Sequence, residues 1–300
     1  MDAPHPRRDL RGRTALVTGA NAGIGYWCTE QLALRGARVI LGCRSAERAA
    51  AAVSAIRGRV PDADLRVLPL DLGSLTSIAT AASGLDGQLD AIIGNAGVKA
   101  ADRAARTDDG FDLMMGTNFL GHFALIAQLA PSLAPDGRVV VVGSITHRYA
   151  RLDPARIDAP WHGSSLAQYG RSKAAAMTFA FELARRWKGS SRIAACAHPG
   201  YAVDPLSPRR SGLTEVPAFL RALAAPSRAL VQGKDGGALP IVHAATAADV
   251  VDGDYWGPGG LLELRGAPVR VATTEAVRAP ATGSALWAAA ESLTGVRFPV

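Results

Sequence analysis

Short apolar segments alternate with segments of helical periodicity over the first two thirds of this chain. The apolar segments are rich in Val, Ile, Leu and Ala and are typical of buried strands, whereas the segments between them repeat apolar positions at helical spacing. Such alternation indicates right-handed βαβ units and an α/β fold with a doubly wound parallel sheet and helices on both faces. Strands are predicted at 13–18, 38–42, 65–70, 89–93, 138–142 and 192–197, and helices at 24–35, 46–57, 75–83, 109–129 and around Tyr169 as far as 186.

The last third of the chain is less regular. Prolines at 205, 208, 217 and 226 interrupt residues 201–237, and a long irregular segment after a parallel strand is typical of a substrate lid. Gly and Pro punctuate an extended stretch beyond 254, and a short helix is predicted at 285–293. We therefore expect one domain over 1–300, with a polar tail at 1–12, a lid at 201–237 and a C-terminal extension at 254–300.

Composition narrows the class of protein. The chain is 48% hydrophobic and carries a formal charge of +7, but its arginines are spread along the sequence. This pattern argues against nucleic acid and favours a basic surface that steers an anionic cofactor. Cys28, Cys43 and Cys196 are far apart, which argues against a disulfide framework and a zinc or other metal site. The start of the chain lacks the apolar stretch of a signal peptide, and no uninterrupted apolar run is long enough to span a bilayer, so we expect a cytoplasmic protein without a membrane span.

A glycine-rich turn joins the first strand to the first helix. Gly19, Asn21, Ala22, Gly23 and Ile24 lie where a diphosphate approaches the backbone and rests on the positive end of a helix. The glycine spacing is Gly-x-x-x-Gly-x-Gly, and the alternative interpretation is a simple tight turn. A strand before the turn and a helix after it favour a Rossmann fold that binds a dinucleotide.

The end of the second strand indicates which dinucleotide is bound. An acid here binds free ribose hydroxyls, whereas a nearby arginine accommodates a 2′-phosphate. This chain has Arg44 after Cys43 and no acid, which predicts NADP(H) over NAD(H), although NAD(H) stays possible and Arg44 is alternatively a plain surface residue. Asp71 suits the adenine amino group or, alternatively, caps the next helix.

Tyr169 and Lys173 are separated by about one helical turn and so share a helix face. A neighbouring ammonium favours a phenolate, which predicts that the pKa of Tyr169 is lowered from its ordinary value near 10. Such a tyrosine can exchange a proton with a substrate oxygen.

Together, these motifs resemble the short-chain dehydrogenase/reductase superfamily, in the branch that includes enzymes like retinol dehydrogenase and protochlorophyllide reductase. The resemblance covers most of the chain. It is carried by residues 18–25, 71–72, 95–97, 109–111, 117–123, 144, 169–173 and 198–200.

The resemblance implies a role for each catalytic residue. Tyr169 would be the acid/base, Lys173 would lower its pKa and bind the nicotinamide ribose, Ser144 would hold the substrate oxygen, and Asn118 would anchor a water. The alternatives are that Ser144 caps a strand end and that Asn118 satisfies backbone groups at a helix irregularity. His122 and His147 are assigned no catalytic role. Further cofactor contacts are implied for Leu72, Asn95, Ala96, Gly97, Pro199 and Gly200, besides Tyr169 and Lys173.

Three positions depart from the family pattern. Gly94 stands where an asparagine is common, which would loosen that segment, and Gly143 precedes Ser144 where a serine is common. Asp204 stands where a threonine typically contacts the nicotinamide amide. Its carboxylate would repel cofactor phosphates unless it turns away or is neutralised by Arg209 or Arg210.

The predicted reaction is hydride transfer between the nicotinamide and a carbonyl or alcohol of a hydrophobic small molecule, as in a secondary-metabolite ketoreductase. Alternatives are reduction of an enone double bond and a non-catalytic NADP(H)-binding redox sensor. A homodimer is possible through helices at 109–129 and 174–186, unless their buried faces are internal. The candidate residues of the substrate pocket are Ile145, Thr146, Trp161, Tyr201 and Phe219. For Trp161 and Phe219, the alternative is that they are ordinary packing residues.

Overall fold

A central sheet organises the computed structural model, which describes residues 9–100, 102, 104–213 and 215–299. Most of the predicted polar tail at 1–12 therefore lies outside the described residues. Each of the six predicted strands is present, and β5 begins five residues before its predicted start. The strands of the described residues are β1 (Thr14–Thr18), β2 (Arg38–Cys43), β3 (Leu65–Pro69), β4 (Leu89–Gly94), β5 (Leu133–Val142), β6 (Ile193–Ala197), β7 (Ala202–Val203), β8 (Gln232–Gly233), β9 (Tyr255–Pro258) and β10 (Pro268–Arg270).

Eight of these strands form one sheet in the order β10-β9-β6-β5-β4-β1-β2-β3. All neighbours pair in parallel except β10, which runs antiparallel to β9 at one edge. The strand order reverses between β1 and β4, so the carboxyl ends of these two strands flank a crevice. The predicted α/β fold with a doubly wound, mostly parallel sheet is confirmed.

The helices cover both faces of the sheet. Serines cap three of them, Ser45 at α2, Ser74 at α3 and Ser164 at α6, and the first two of these helices have their predicted bounds. The helices are α1 (Gly23–Ala33), α2 (Ala46–Arg57), α3 (Leu75–Ser83), α4 (Leu113–Met115), α5 (Gly121–Leu129), α6 (Ser165–Arg186), α7 (Ala218–Ala224), α8 (Lys234–Thr246) and α9 (Pro280–Thr294).

The predicted helix at 109–129 is wrong at its start. Asp112 accepts a hydrogen bond from the Met115 amide and caps α4, so helical structure begins at Leu113. A π-helical segment, Gly116–Leu120, then separates α4 from α5. Such π-helical turns are frequent at functional sites, and this one contains Asn118.

Residues 201–237 are more regular than predicted. They contain α7, two short strands and the first turn of α8, which the sequence reasoning missed altogether. Helix α8 contains Gly236, Gly237 and Pro240, which have low helix propensity. Packing overrides propensity here, because α8 lies directly against α1 and β9.

The C-terminal helix α9 is longer than predicted and covers α6. Trp287 and Phe298 join an aromatic cluster with Phe123 and Phe179, with ring centroids 4.7–6.2 Å apart. The buried faces of α5 and α6 are therefore internal to one chain, which is the alternative to a dimer seam.

One helical stretch, Leu113–Ser132, is long and apolar enough to span a bilayer, with a mean hydropathy of 1.3. Polar residues such as Asn118 and His122 interrupt this stretch, and the absence of a membrane span stays a prediction. The fold buries 89% of the most apolar window of this stretch, which forms part of the hydrophobic core between the sheet, α3 and α6.

Candidate active site

The glycine-rich turn leaves a cradle at the start of α1. Gly19 has a φ of +64°, and a Cβ built on it would lie 3.0 Å from the Ala96 α-carbon. Ala22 precedes α1 and provides no side-chain cap, so the first amides of this helix keep their donors free of a capping side chain. A close backbone approach beside uncapped amides fits a cofactor diphosphate.

Thr18, at the end of β1, connects the cradle to β4. Its hydroxyl accepts hydrogen bonds from the amides of Asn95 and Ala96, both at 2.9 Å, and its carbonyl accepts one from Asn95 Nδ2 at 2.8 Å. His122 Nε2 lies 2.9 Å from the same hydroxyl. A Cβ built on Gly94 would lie 3.1 Å from the His122 ring, so the glycine makes room for this histidine. The His122 ring occupies the space beside Gly94, and the expected loosening of this segment stays a prediction.

His122 has a structural environment. It is buried, and its Nδ1 lies 3.2 Å from the Asn118 carbonyl oxygen. Burial lowers the pKa of His122 to about 4, so the ring stays neutral at physiological pH. Its contacts therefore join the start of α5 to the end of β1.

Arg44 and Asp71 lie together at the ends of β2 and β3. Arg44 Nη1 is 3.7 Å from Asp71 Oδ2, and the Arg44 side chain is 76% exposed. Asp71 also accepts a hydrogen bond from the Gly73 amide at 2.8 Å, so it caps a turn before α3, and Leu72 lies in that turn. A loosely held guanidinium at this position remains available to a phosphate.

Tyr169, Lys173 and Ser144 meet at the carboxyl end of β5. The first two lie on one face of α6, where Lys173 Nζ is 6.0 Å from the centre of the Tyr169 ring. Lys173 is buried, and its Nζ donates to the Val142 carbonyl at 2.8 Å. Ser144 Oγ accepts hydrogen bonds from Thr146 and shares one with Tyr169. The three predicted catalytic groups are thus neighbours.

The predicted lowering of the Tyr169 pKa is wrong. Burial raises the pKa of Tyr169, and its hydrogen bond with Ser144 only partly opposes this effect. Burial also lowers the pKa of Lys173 to about 8, which weakens its cationic form. The sequence spacing predicts proximity but contains no information on desolvation.

Asn118 lies in the π-helical segment and binds the chain beyond β4. Its Oδ1 accepts from the Val98 amide at 2.8 Å, while its Nδ2 donates to the Val98 carbonyl and to Ser172 Oγ. These contacts agree with the alternative that Asn118 satisfies backbone groups at a helix irregularity. Its predicted role in anchoring a water stays a prediction. A Cβ built on Gly97 would lie 3.3 Å from both Asn118 Oδ1 and Lys173 Nζ.

Asp204 is neutralised by a residue that the sequence reasoning did not consider. Lys234 Nζ donates to Asp204 Oδ2 at 2.6 Å. Arg210 instead holds the buried Glu30 through two hydrogen bonds of 2.6 and 2.7 Å. The expectation that Arg209 or Arg210 pairs with Asp204 is therefore wrong. The sequence carried no signal for this pair, because the two residues are 30 positions apart and meet only in the folded chain.

Pro199 and Gly200 are held by the loop before β10. Gly200 has a φ of +64°, and a Cβ on it would meet the carbonyl oxygens of Glu263 and Leu264. Glu263 binds His198 at 3.1 Å and Arg148 at 2.6 Å. This loop therefore positions the backbone that follows β6.

The five predicted pocket residues are spread around the site. Ile145 and Thr146 follow Ser144 in a 3-10 turn, and Tyr201 and Phe219 are 56% and 69% exposed. Trp161 packs against Gly163, and its ring centre lies 5.4 Å from the Arg171 guanidinium. These contacts agree with the alternative that Trp161 is an ordinary packing residue. None of the five lines a cavity of about 670 Å³ between the glycine-rich turn and residues 204–221. Their assignment to a substrate pocket stays a prediction.

Comparisons with known proteins agree with this geometry. A family model described as short chain dehydrogenase matches residues 13–207. Dehydrogenase/reductase SDR family member 13 of Bos taurus is 41% identical over 79% of this chain, and the match spans 63% of that protein's length. Retinol dehydrogenase 13 of Homo sapiens is 33% identical over 97% of this chain and 87% of its own length.

Solved structures are similar as well. An uncharacterised Mycobacterium paratuberculosis protein superposes with a TM-score of 0.80 at 33% identity, covering 98% of this chain and 97% of that one. A short chain dehydrogenase from Burkholderia cenocepacia in complex with NADP has a TM-score of 0.59 at 25% identity, covering 82% and 98%. With its sheet order, glycine-rich cradle and tyrosine–lysine pair, this chain belongs to the short-chain dehydrogenase family, in its retinol-dehydrogenase-like branch.

Proposed function

We propose that this protein is an NADP(H)-dependent oxidoreductase that reduces the carbonyl group of a hydrophobic small molecule. The observation that carries the proposal is the meeting of Tyr169, Ser144 and Lys173 beside the glycine-rich cradle. The similar Burkholderia cenocepacia structure, which contains NADP, supports the choice of cofactor class.

The chain provides a contact for each part of the cofactor. The start of α1 would bind the diphosphate, Arg44 the 2′-phosphate and Asp71 the adenine. Asn95, Ala96 and Gly97 would line the crevice, and Pro199 with Gly200 would face the nicotinamide. When bound, the reduced nicotinamide supplies a hydride to the carbonyl carbon.

The protein itself handles the proton. Burial raises the pKa of Tyr169, so its hydroxyl is protonated at neutral pH and can donate to a carbonyl oxygen. Ser144 Oγ accepts two hydrogen bonds from Thr146, which leaves its own proton for Tyr169 or the substrate oxygen. Lys173, fixed by the Val142 carbonyl, places a positive charge near the developing alkoxide. The protonated form of Tyr169 is the form that carbonyl reduction requires.

The substrate class follows from the apolar side chains near the crevice. Tyr201, Phe219 and Leu223 on the lid, and Leu261 and Leu262 in the loop that contacts Gly200, are each more than half exposed. Exposed apolar side chains on these segments suit a bulky apolar ligand. A retinal-like isoprenoid aldehyde and an aromatic ketone of secondary metabolism both belong to this class.

A carbonyl panel tests the proposal. All-trans-retinal, aromatic ketones, aliphatic ketones and enones are offered with NADPH, and oxidation of the cofactor is followed by absorbance with product identification. We expect an alcohol from at least one apolar carbonyl. Reduction of only the enone double bond would support an enone reductase, and tight NADPH binding without any turnover would support a redox sensor. Either outcome would overturn the proposal.

A further inference from the structure

Lys234 is the first residue of α8, and its ammonium lies beside the glycine-rich turn. A Cβ built on Gly23 would lie 3.5 Å from Lys234 Nζ. The same Nζ donates to Asp204 at 2.6 Å, and the two side chains are 23% and 49% exposed. The pair is therefore half sheltered, at the place where the cradle for a diphosphate begins.

Packing around α8 fixes this position. A Cβ built on Gly237, one turn beyond Lys234, would lie 3.0 Å from Ile24 of α1 and 3.1 Å from Pro199. The Lys234 amide donates to Ser207 Oγ at 2.8 Å. The first turn of α8 is thus held against α1 on one side and the chain after β6 on the other, which fixes the backbone of Lys234 beside the cradle.

The charges at this place favour an anion. Ala22 leaves the positive end of α1 without a side-chain cap, and Lys234 adds a full positive charge beside it. Asp204 supplies the negative charge that pairs with Lys234, and its side chain lines the same cavity as Gly23. A diphosphate carries more charge than one carboxylate and would compete with Asp204 for the ammonium.

We propose that Lys234 binds the diphosphate of the cofactor, and that Asp204 is a competing carboxylate that limits cofactor affinity. The inference rests on the proposed function, since it requires a dinucleotide in the cradle. This proposal explains how Asp204 can stand where the family commonly has a threonine: a carboxylate that repels phosphates is tolerated where a lysine pairs with it. Lys234 is thereby a binding residue outside the glycine-rich turn.

Cofactor dissociation constants test the inference without turnover, by fluorescence of NADPH and NADH titrated with the full chain. Lys234→Met should raise Kd for both cofactors by about tenfold or more, because both carry the diphosphate. Lys234→Arg should retain most of the affinity. Asp204→Asn should lower Kd for both cofactors severalfold. Lys188→Met removes the same charge from an exposed position after α6 and should leave Kd unchanged within about twofold.

Two further results separate the possible failures. Arg44→Ala should weaken NADPH only, which distinguishes the 2′-phosphate contact from the diphosphate contact. If Lys234→Met and Asp204→Asn lower the melting temperature but leave both Kd values unchanged, the pair is only structural and the inference is overturned. If the unaltered protein binds neither NADPH nor NADH, the cofactor proposal itself fails, and the inference fails with it.

Discussion

Replacing Tyr169 by Phe removes one hydroxyl from the centre of the site. That hydroxyl shares a hydrogen bond with Ser144, whose Oγ keeps its two bonds from Thr146 in the variant. The stability loss should therefore stay near the value of one hydrogen bond, about 1 kcal/mol. The proton donor for the carbonyl oxygen is lost entirely, which corresponds to about 10²- to 10⁴-fold in kcat. A 100-fold loss is about 2.7 kcal/mol of transition-state stabilisation.

The assay compares kcat, the NADPH Kd and the urea unfolding midpoint for both proteins on the carbonyl selected by the panel. Tyr149→Phe is the matched control, because Tyr149 is 88% exposed and follows the same active-site strand. We expect Tyr169→Phe to lose at least about 100-fold in kcat while cofactor binding and unfolding change little. A kcat within about threefold of the unaltered protein would refute the acid role of Tyr169.

Three further predictions follow from the geometry. Arg44→Asp should shift the ratio of kcat/KM for NADPH over NADH by at least about tenfold toward NADH, and an unchanged ratio would contradict the 2′-phosphate role. Lys173 has a pKa of about 8 in the fold and 10.5 as its ordinary value, so the unfolded chain binds more protons between these pH values. The free energy of unfolding, relative to that of Lys173→Met, should rise by about 3 kcal/mol from pH 8 to 10.5, and a flat difference from urea unfolding would argue against this burial. A Cβ on Gly25 would meet the Gly19 carbonyl oxygen and Asn95 Nδ2, so Gly25→Ala should abolish NADPH binding, whereas Gly58→Ala, with its nearest contacts at 3.5 Å, should bind normally in the same fluorescence titration.

The parallel sheet was predictable because its strands are short, apolar and separated by helices with clear starts. Ser45 and Ser74 are strong N-cap residues, and the helices after them begin where the sequence indicates. Helix α8 was not predictable from local pattern, because Gly237 and Pro240 disfavour a helix on their own. Gly237 is required by a close approach to Ile24, which is a tertiary contact.

In the candidate site, too, some features follow from local sequence and others depend on tertiary contacts. The proximity of Tyr169 and Lys173 follows from helical spacing, but the directions of their pKa shifts depend on burial, which spacing does not reveal. Lys234 reaches Asp204 only through the packing of α8 against α1, so sequence order offered no reason to pair them. The need for glycine at position 94 likewise depends on a tertiary contact, because the His122 ring fills the space that a side chain would occupy there.

Transfer of an isotopic label tests the central claim most directly. The apolar carbonyl that is turned over is reduced with NADPH deuterated at nicotinamide C4 on the transferred face, in ordinary water, and the product is analysed by mass spectrometry and NMR. The account predicts an alcohol that carries deuterium on the former carbonyl carbon, with Tyr169→Phe forming it far more slowly. An alcohol without deuterium from cofactor labelled on either face, or deuterium found only at a carbon next to the carbonyl, would contradict it.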